Sequence, residues 1–526
     1  MARFKEDLRF PLGGTLYTKM REYAVWYSGE PDFLTEYYNT LDPQNIFNTQ
    51  YQVRKNNFWA RQAYSAGTSA VHIPLAGSIA ELSADLLFAE APAIKLDEAF
   101  KEDATNEAKE SQEELDQLLS NVELNKECLQ GAELAAAIGG VYMKIAFDED
   151  LIDRPILQLE QMDNAIAKFR YGILTEVSFF NAVFAESASA AKQNGTTAKV
   201  YRLVETYTNK GTIEYELYEG TCDKLGTEIG VESREETSDL EDIDTGYDEI
   251  LCQYVPNMLP NRISRDSYIG RSDLQGLETL MLSLDESYSS WMRDIKLSKA
   301  KIIVPATWLE ERVGDDSGTK ETTYDTDRAL YAKLNIDPVS MTNLKAEAVQ
   351  FKIRADEFEK TCMNLIERAV SLAGYAPQSF GINIAGRVES GTALAKREGR
   401  SEKKKVKKES FWQTPLNKVV QGLIFIHNQE FGGSIMEDSN ITIEFSDGVA
   451  YGITELADAV QKIRAAKAAS TKTIVMMLHA DWTDEQVDNE VEKIIAEDRA
   501  AEFEDPAFQS EVDRFNQLKD QDNNEE

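Results

Sequence analysis

Seven large apolar residues, Leu274, Leu277, Met281, Leu284, Tyr288, Trp291 and Ile295, follow one another at alternating steps of three and four. Such spacing predicts an α-helix with an apolar seam that stays on one side for three heptads. Drawn from Ser272 to Ser298, the helix would be about 40 Å long. Ser272 and Gln275 stand at capping-box spacing at its start. A seam of this breadth has to be covered, by the same chain folding over it or by sister chains, and the spacing alone does not choose.

A second helix is predicted from near Arg354. Phe358, Cys362, Leu365, Ala369 and Leu372 share one face, and Gly374 supplies the stop. Between the two helices, KAKIIVPATWL reads as a strand, GDDSGTKETTYDTD as a polar loop, RALYAKLNI as a short helix and EAVQFKI as a strand. The chain therefore places a small α/β insert between two amphipathic helices.

Upstream, residues 1–60 are rich in aromatics and irregular or helical. In VHIPLAGSIAELSADLLFAEAPAI, Pro74 opens a helix and Pro92 lies just past its end. Glu102 to Gln130 reads as a charged amphipathic helical region. From Gly139 to about Tyr254 apolar and polar residues alternate, as in strands, with Thr208–Thr212 (TNKGT) as a hairpin turn. Glu228 to Glu249 holds ten acidic residues and one Arg and reads as a solvated loop. Downstream, Trp412, Leu416, Val419, Leu423 and Ile426 lie on one side of a helix that Pro415 should kink or divide. NITIEFSDGVA reads as a strand that would join the β-rich lobe. ELADAVQKIRAAKAA and TDEQVDNEVEKIIAEDRAAEF read as helices, and the last residues as a disordered acidic tail.

The chain has 526 residues, a formal charge of −36 and 42% hydrophobic residues, which suits a folded protein of several lobes. No apolar run approaches the roughly 20 residues that span a bilayer, and MARFKEDLRF has no apolar signal region, so synthesis in the cytoplasm and no membrane are expected. Cys128, Cys222, Cys252 and Cys362 have no paired spacing, and HExxH, Walker A and GxSxG patterns are missing. These features predict neither disulfides nor a cofactor, metal site or catalytic activity. His427, among Val420, Leu423 and Ile424, reads as a packed histidine.

One segment runs against the acidic composition. LAKREGRSEKKKVKKESFW, Leu394 to Trp412, carries eight Lys or Arg against two Glu between Lys396 and Lys408. On a helical wheel Lys396, Arg400, Lys403 and Lys407 fall within about 60° of arc. Arg397, Lys404 and Lys408 adjoin them, and Ala395, Gly399 and Val406 lie nearly opposite. The stripe Lys396, Arg400, Lys403, Lys404 and Lys407 has three readings: a solvated face, a surface that pairs with acidic residues of a neighbouring subunit, or a belt facing DNA. Pairing with a neighbour ranks first, because every copy in an oligomer is surrounded by acidic copies.

Taken in order, these pieces resemble the portal (connector) proteins of tailed double-stranded DNA bacteriophages. The resemblance rests on WYSG and FLTEYYN near the start, VHIPLAGSIAELSADLLFAEAP, GGVYMKIAFDED and the helix–insert–helix from Ser272 to Gly374. SGTALAKREGRSEKKKVKKESFW and ITIEFSDG with TDEQVDNEVEKIIAED complete it. It implies an α+β portal fold with a β-rich wing, a two-helix stem, a small α/β clip and a helical crown. By that likeness, residues 1–255 are the N-terminal wing, 256–298 the first stem helix, 299–353 the clip and 354–375 the second stem helix. Residues 376–390 correspond to the tunnel loop, 391–452 to a long kinked helix and a wing strand, 453–505 to the crown and 506–526 to the tail.

The resemblance further implies a ring, usually a dodecamer, at one capsid vertex of the virion, through which double-stranded DNA is packaged and ejected. Its implied partners are the terminase large subunit, a head–tail adaptor, and the major capsid and scaffold proteins. Leu277, Met281, Leu284, Tyr288 and Trp291 would pack the stem, with sister chains covering the seam. Phe380, Gly381, Asn383, Gly386 and Arg387 would belong to the tunnel loop. The acidic Glu228–Glu249 stretch is not a feature of that family. Another virion assembly or adaptor protein and an acidic multidomain enzyme are the rival readings.

Overall fold

The structure is a computed structural model that describes residues 3–39, 58–61, 70–101, 104–148, 151–185, 198–298, 301–305, 331–334, 347–349, 353–381, 391–437, 439–446, 460–464, 466, 468–478 and 487–496. It divides into a large unit, Met1–Gly448, and a small one, Val449–Glu526.

The large unit begins with helices α1 (Thr15–Ser28), α2 (Pro31–Asn39) and α3 (Leu75–Phe88). The N-cap of α3 is Pro74, within one residue of the expected start. The charged region 102–130 forms two helices, α4 (Asn106–Asn121) and α5 (Leu124–Ile138). They part at Glu123, whose φ of 53° takes the chain out of helical geometry. Thr105 caps α4 by accepting from the Ala108 N–H at 3.2 Å. Small residues Ala132, Ala135 and Ala136 on α5 are buried, which lets it pack closely on α3.

Next comes the β-rich region. Strand β1 (Ala93–Leu96) stands apart, between α3 and α4; the region itself holds β2 (Gly140–Ala146), β3 (Ile156–Glu160), β4 (Ala165–Arg170), β5 (Ile173–Ala185), β6 (Val200–Thr208), β7 (Thr212–Thr221), β8 (Lys224–Ile229), β9 (Ile243–Asp244) and β10 (Cys252–Pro256) in chain order. An antiparallel sheet has the order β4-β5-β6-β7-β8, with β9 also on β7, and a second has the order β10-β2-β3. The 208–212 turn joins β6 to β7, with Gly211 at φ 72° as such a tight connection needs. The acidic stretch Glu228–Glu249 is more structured than a solvated loop: it contains two 3₁₀ turns and β9, and it buries Thr237 and Thr245.

The first seam helix, α6, spans Glu278–Leu297 and starts six residues after Ser272. Two local forces explain the late start. Gly276 at φ 88° interrupts the backbone. Ser272 does not form the capping box: its hydroxyl donates to the Ala137 carbonyl at 2.6 Å and accepts from Leu274 N at 2.9 Å. The second helix, α7, spans Ala355–Ala373 and ends at Gly374 in the left-handed region. Leu372, expected on the apolar face, is exposed, while Cys362, Ala369, Val370 and Ala373 are buried.

Between these helices β11 (Lys301–Pro305) pairs in parallel with β12 (Tyr331–Leu334) and antiparallel with β13 (Glu347–Val349). The YAKL residues expected in a helix thus form a strand. A β11 backbone with free hydrogen-bonding groups gives four residues a ladder, whereas an isolated single helical turn is marginal.

The long helix α8 (Gly391–Glu430) runs 40 residues with Pro415 inside it. It is not divided there. Trp412, Leu416, Val419, Val420, Leu423 and Ile424 are all buried on both sides of the proline, and their packing sustains the helix through it. Strand β14 (Ile441–Glu444) pairs antiparallel with β1, not with the β-rich lobe, correcting the expected location of that strand. Alternate residues Ile441 and Ile443 are buried, and Ile443 lies across from Ile94 in the register.

The main core of this unit gathers α3, α5, β2, β10 and α8. The Phe88 and Trp412 rings meet edge to face at 4.8 Å. A second core gathers Trp26 of α1, Leu34 and Tyr38 of α2, Trp59, Ile79, and the facing sides of α6 and α7. Leu274, Leu277, Met281 and Leu284 are buried in it. The first half of the seam is therefore covered by the same chain, where sister chains were expected. An internal carboxylate organises this contact: Asp285 Oδ2 accepts from Trp59 Nε1 at 3.0 Å and lies 2.8 Å from His72 Nδ1, and Oδ1 accepts from Ile73 N at 3.0 Å.

The small unit contains α9 (Thr471–Leu478) and helical segments at 460–464 and 487–496. The segment TIVMML, which local pattern assigns to no element, lies in α9. Ile474, Val475 and Val487 are buried, and Lys472 pairs with Asp488 at 2.6 Å. Thr483, which opens the TDEQVDNEVEKIIAEDRAAEF segment at capping-box spacing from Gln486, lies outside the described residues.

Candidate functional site: a basic helix and its buried anchor

The basic run forms the N-terminal half of α8. Carrying its downstream apolar face backwards from Trp412 in steps of three and four reaches Lys408, Lys405, Lys404 and Ser401. These residues are buried, whereas Arg400, Lys403, Val406 and Lys407 are not. The helix thus divides its cations by register: one set is turned into the protein and the other out.

The inward set meets one carboxylate. Asp273, in the turn before α6, is buried, and its Oδ2 lies 2.8 Å from Lys404 Nζ and 2.7 Å from Lys408 Nζ. The Tyr375 hydroxyl donates to the same oxygen at 2.7 Å, and Asn257 Nδ2 donates to Oδ1 at 3.0 Å. Lys404 also donates to the Ala373 carbonyl at 2.5 Å and stands 3.8 Å from the centre of the Tyr375 ring. Lys408 also donates to Ser83 Oγ on α3. Asp273 N donates to the Ala136 carbonyl at 2.9 Å. One buried charge cluster therefore ties α3, α5, the approach to α6, the end of α7 and α8 together.

Local structure puts each member in place. Gly374 ends α7, and Tyr375 N closes that end by donating to the Val370 carbonyl at 3.1 Å, which sets the Tyr375 ring beside Asp273. Burial by itself would raise the Asp273 carboxyl. The Lys404 and Lys408 ammoniums outweigh it and hold the carboxyl below the usual carboxylate range. Burial pushes the Lys404 amine down, to about 7, against the pull of Asp273, and pushes Lys408 down as well. Burial and the adjacent carboxylate raise the Tyr375 phenol, so it stays protonated and donates.

A sequence profile described as "Phage portal protein, SPP1 Gp6-like" matches residues 17–503. The chain belongs to this family of phage portal proteins. Among solved structures, the portal chain is similar to one titled "Virion of native gene transfer agent (GTA) particle", at 10% identity and a TM-score of 0.37, covering 78% of this chain and 91% of that one. It is also similar to "Neck of empty GTA particle computed with C6 symmetry", at 10% identity and a TM-score of 0.38, covering 77% and 90%. A third is "Neck of native GTA particle computed with C12 symmetry", at 10% identity and a TM-score of 0.37, covering 77% and 89%. No curated protein matches the sequence.

In this portal chain Arg400, Lys403 and Lys407 of the expected stripe reach solvent, and Lys404 is buried on Asp273. Lys404 therefore contacts its own chain, because it sits on the edge of the face that continues Trp412. The side chain of Lys396 lies outside the described residues. Val406, placed on the apolar side by the wheel, is 60% exposed. Of the residues expected to pack a stem, Leu277, Met281 and Leu284 are buried, while Tyr288 and Trp291 are half-buried with ring centres 5.6 Å apart. Trp291 stacks on Phe358 of α7 at 6.2 Å and 7°. Ile295 is exposed at the end of the seam.

The segment after α7 is fastened to the basic helix at its root. Ala376 N donates to Ser401 Oγ at 3.0 Å, and the Ser379 and Ser401 hydroxyls lie 3.0 Å apart. A 3₁₀ turn, Pro377–Phe380, follows, and Gly381 ends it at φ 68°. Phe380 is half-buried against the second core. Asn383, Gly386 and Arg387 lie outside the described residues.

Sequence reasoning missed Asp273, Tyr375, Ser83 and Asn257, which give the basic helix its internal partners. Two signals were present. The apolar face of Trp412 and Leu416 extends into the lysine run. The other concerns the second core, which sequence reasoning also missed: Asp285 stands between Met281 and Tyr288 on an apolar face, where a carboxylate needs donors, and finds Trp59, His72 and Ile73. His427 Nε2 lies 3.1 Å from Glu114 Oε1, 313 residues away in the chain. Among the described residues no group of three or more His, Cys, Asp or Glu could hold a metal ion, and no helix is long and apolar enough to cross a membrane. The portal family is a structural component of the virion.

Proposed function

We propose that the chain is one subunit of a closed ring, a dodecamer, at the portal vertex of a phage capsid, and that the ring is the conduit for double-stranded DNA in packaging and ejection. The observation that carries this reading is the family match across residues 17–503. In it, α6 and α7 form the stem and residues 299–353 the clip, where the terminase large subunit docks during packaging and a head–tail adaptor docks afterwards. The β-rich region forms the wing, against capsid and scaffold proteins, and residues 453–505 the crown. Residues 376–390 form the tunnel loop. The chain contributes geometry and charge and no chemistry. A charge of −36 per subunit gives the ring an acidic character that keeps phosphate from adhering to it.

Native mass spectrometry with negative-stain imaging tests the ring: twelve subunits around an axial hole are expected, and a species that stays monomeric at all concentrations and salts refutes it. Deleting residues 299–353 tests the clip. Rings should persist and terminase binding should vanish, and rings that still package DNA would refute the assignment.

A further inference from the structure

The lysine run places its cations in two different environments. Lys404 and Lys408 have Asp273, and Lys405 donates to the Ser446 carbonyl and lies 3.7 Å from Glu409. Arg400, Lys403 and Lys407 reach solvent and make no ion pair with any described residue. They stand at i, i+3 and i+7 on one face of a rigid helix. Like charges at such spacing repel, so the helix gains if an external anion covers them. Val406, next to Lys407 in the chain but turned to one side of these cations, is 60% exposed.

That combination favours a protein partner over a nucleic acid. Phosphate contacts use cations and polar groups and have no use for an apolar residue among them, whereas protein interfaces set apolar contact within a polar, charged rim. The identity of the protein follows from charge. At −36 per copy, two copies repel at most relative orientations, and a basic face meeting an acidic one removes that penalty locally. The chain carries such an acidic surface in Glu228–Glu249, where Glu232, Glu235, Asp239, Glu241 and Asp244 are exposed.

We propose that Arg400, Lys403, Val406 and Lys407 form a docking surface for an acidic face of a second copy of this chain. The assignment rests on the ring reading above and names one of its subunit contacts. The buried anchor supplies the rigidity: Lys404 and Lys408, held on Asp273, lock α8 so that the neighbouring residues stay turned outward.

Two measurements test it on the full chain. The first compares the wild type with the triple variant Arg400→Glu, Lys403→Glu, Lys407→Glu by native mass spectrometry from low to high salt. Circular dichroism verifies that the variant is folded. The variant is expected to lose at least tenfold in assembly, and the wild type to assemble less well as salt rises. The second places a photocrosslinking residue at position 406 in otherwise wild-type chains, mixed as isotopically light and heavy copies. Crosslinks between light and heavy chains, ending in acid-rich peptides, are expected.

Intact rings from the folded triple variant, with no crosslink between copies, would overturn the docking surface while leaving the ring reading standing. Intact variant rings that lose affinity for double-stranded DNA would overturn it in favour of a DNA-facing belt. If the wild type itself never assembles, the ring reading fails first.

Discussion

Lys408, in the most basic stretch of a strongly acidic chain, is buried and holds Asp273 Oδ2 at 2.7 Å. Lys404 approaches the same oxygen at 2.8 Å, so two amines share one carboxylate in the interior. A buried ion pair is poor evidence of net stabilisation, but removing one partner leaves an uncompensated charge, and that is costly. The three residues therefore do not contribute equally.

Asp273→Asn should cost about 3–5 kcal/mol, since it leaves both ammoniums buried without a counter-charge. Lys404→Met should cost roughly 1 kcal/mol or less, because Lys408 still neutralises Asp273 and the methionine fills the space of the stem. Urea denaturation of the two variants checks the asymmetry. Equal losses would show that Asp273 does not serve both lysines.

The same cluster sets a pH dependence. The groups facing Lys404 are Asp273, Lys408, Tyr375 and the Ala373 carbonyl, with Arg271 acting at longer range. Its folded value of about 7 lies below its ordinary 10.5. Between those values the unfolded chain binds more protons at this position than the folded one, so its contribution to stability rises with pH. The wild type should gain on Lys404→Met from pH 7 towards pH 10, as read by unfolding at a series of pH values. Asp273 has the opposite origin: its folded carboxyl is held below its ordinary 3.8. Its contribution is present above that value and lost as pH falls below it, so the gap between wild type and Asp273→Asn should narrow below about pH 4.

Asp285 makes a separate prediction for the second core. It accepts from Trp59, His72 and Ile73. Asp285→Ala strands these groups in the interior, at about 1–3 kcal/mol for each unsatisfied donor. Thermal unfolding should show the loss, and Trp59 emission should shift to the red as the ring loosens. Asp285→Asn keeps one acceptor oxygen and should cost less.

Two glycines should respond with opposite signs. Gly139 ends α5 at φ 119°, and a Cβ there would lie 2.8 Å from the Gly270 carbonyl oxygen. Gly139→Ala should cost about 1–3 kcal/mol through backbone strain. Gly399 lies inside α8, where an added Cβ would meet nothing within 4 Å. Gly399→Ala should add about 0.5–1 kcal/mol. Differential scanning calorimetry of both variants separates the two effects.

Much of the fold was legible along the chain. The helix at Ala355–Ala373 with its glycine stop, the hairpin at Thr208–Thr212, the opening of α3 at Pro74 and the order of elements that marks the portal family all follow from local pattern. Periodicity and turn chemistry are written into neighbouring residues, so a reading confined to neighbours recovers them. The late start of α6 was partly legible too, since Gly276 sits where the helix would begin.

What the sequence by itself determined is where most of the long helices and strands run, and that eight cations gather on one helix. Tertiary structure alone decided which of those cations face inward: Lys408 is buried because a carboxylate 135 residues away in the chain meets it. It also decided that YAKL pairs as a strand, that Ile441–Glu444 joins Ala93–Leu96, and that the first half of the apolar seam is covered by its own chain. These outcomes depend on partners far apart in sequence, and the free energy of burial and pairing belongs to the contact, not to either segment alone.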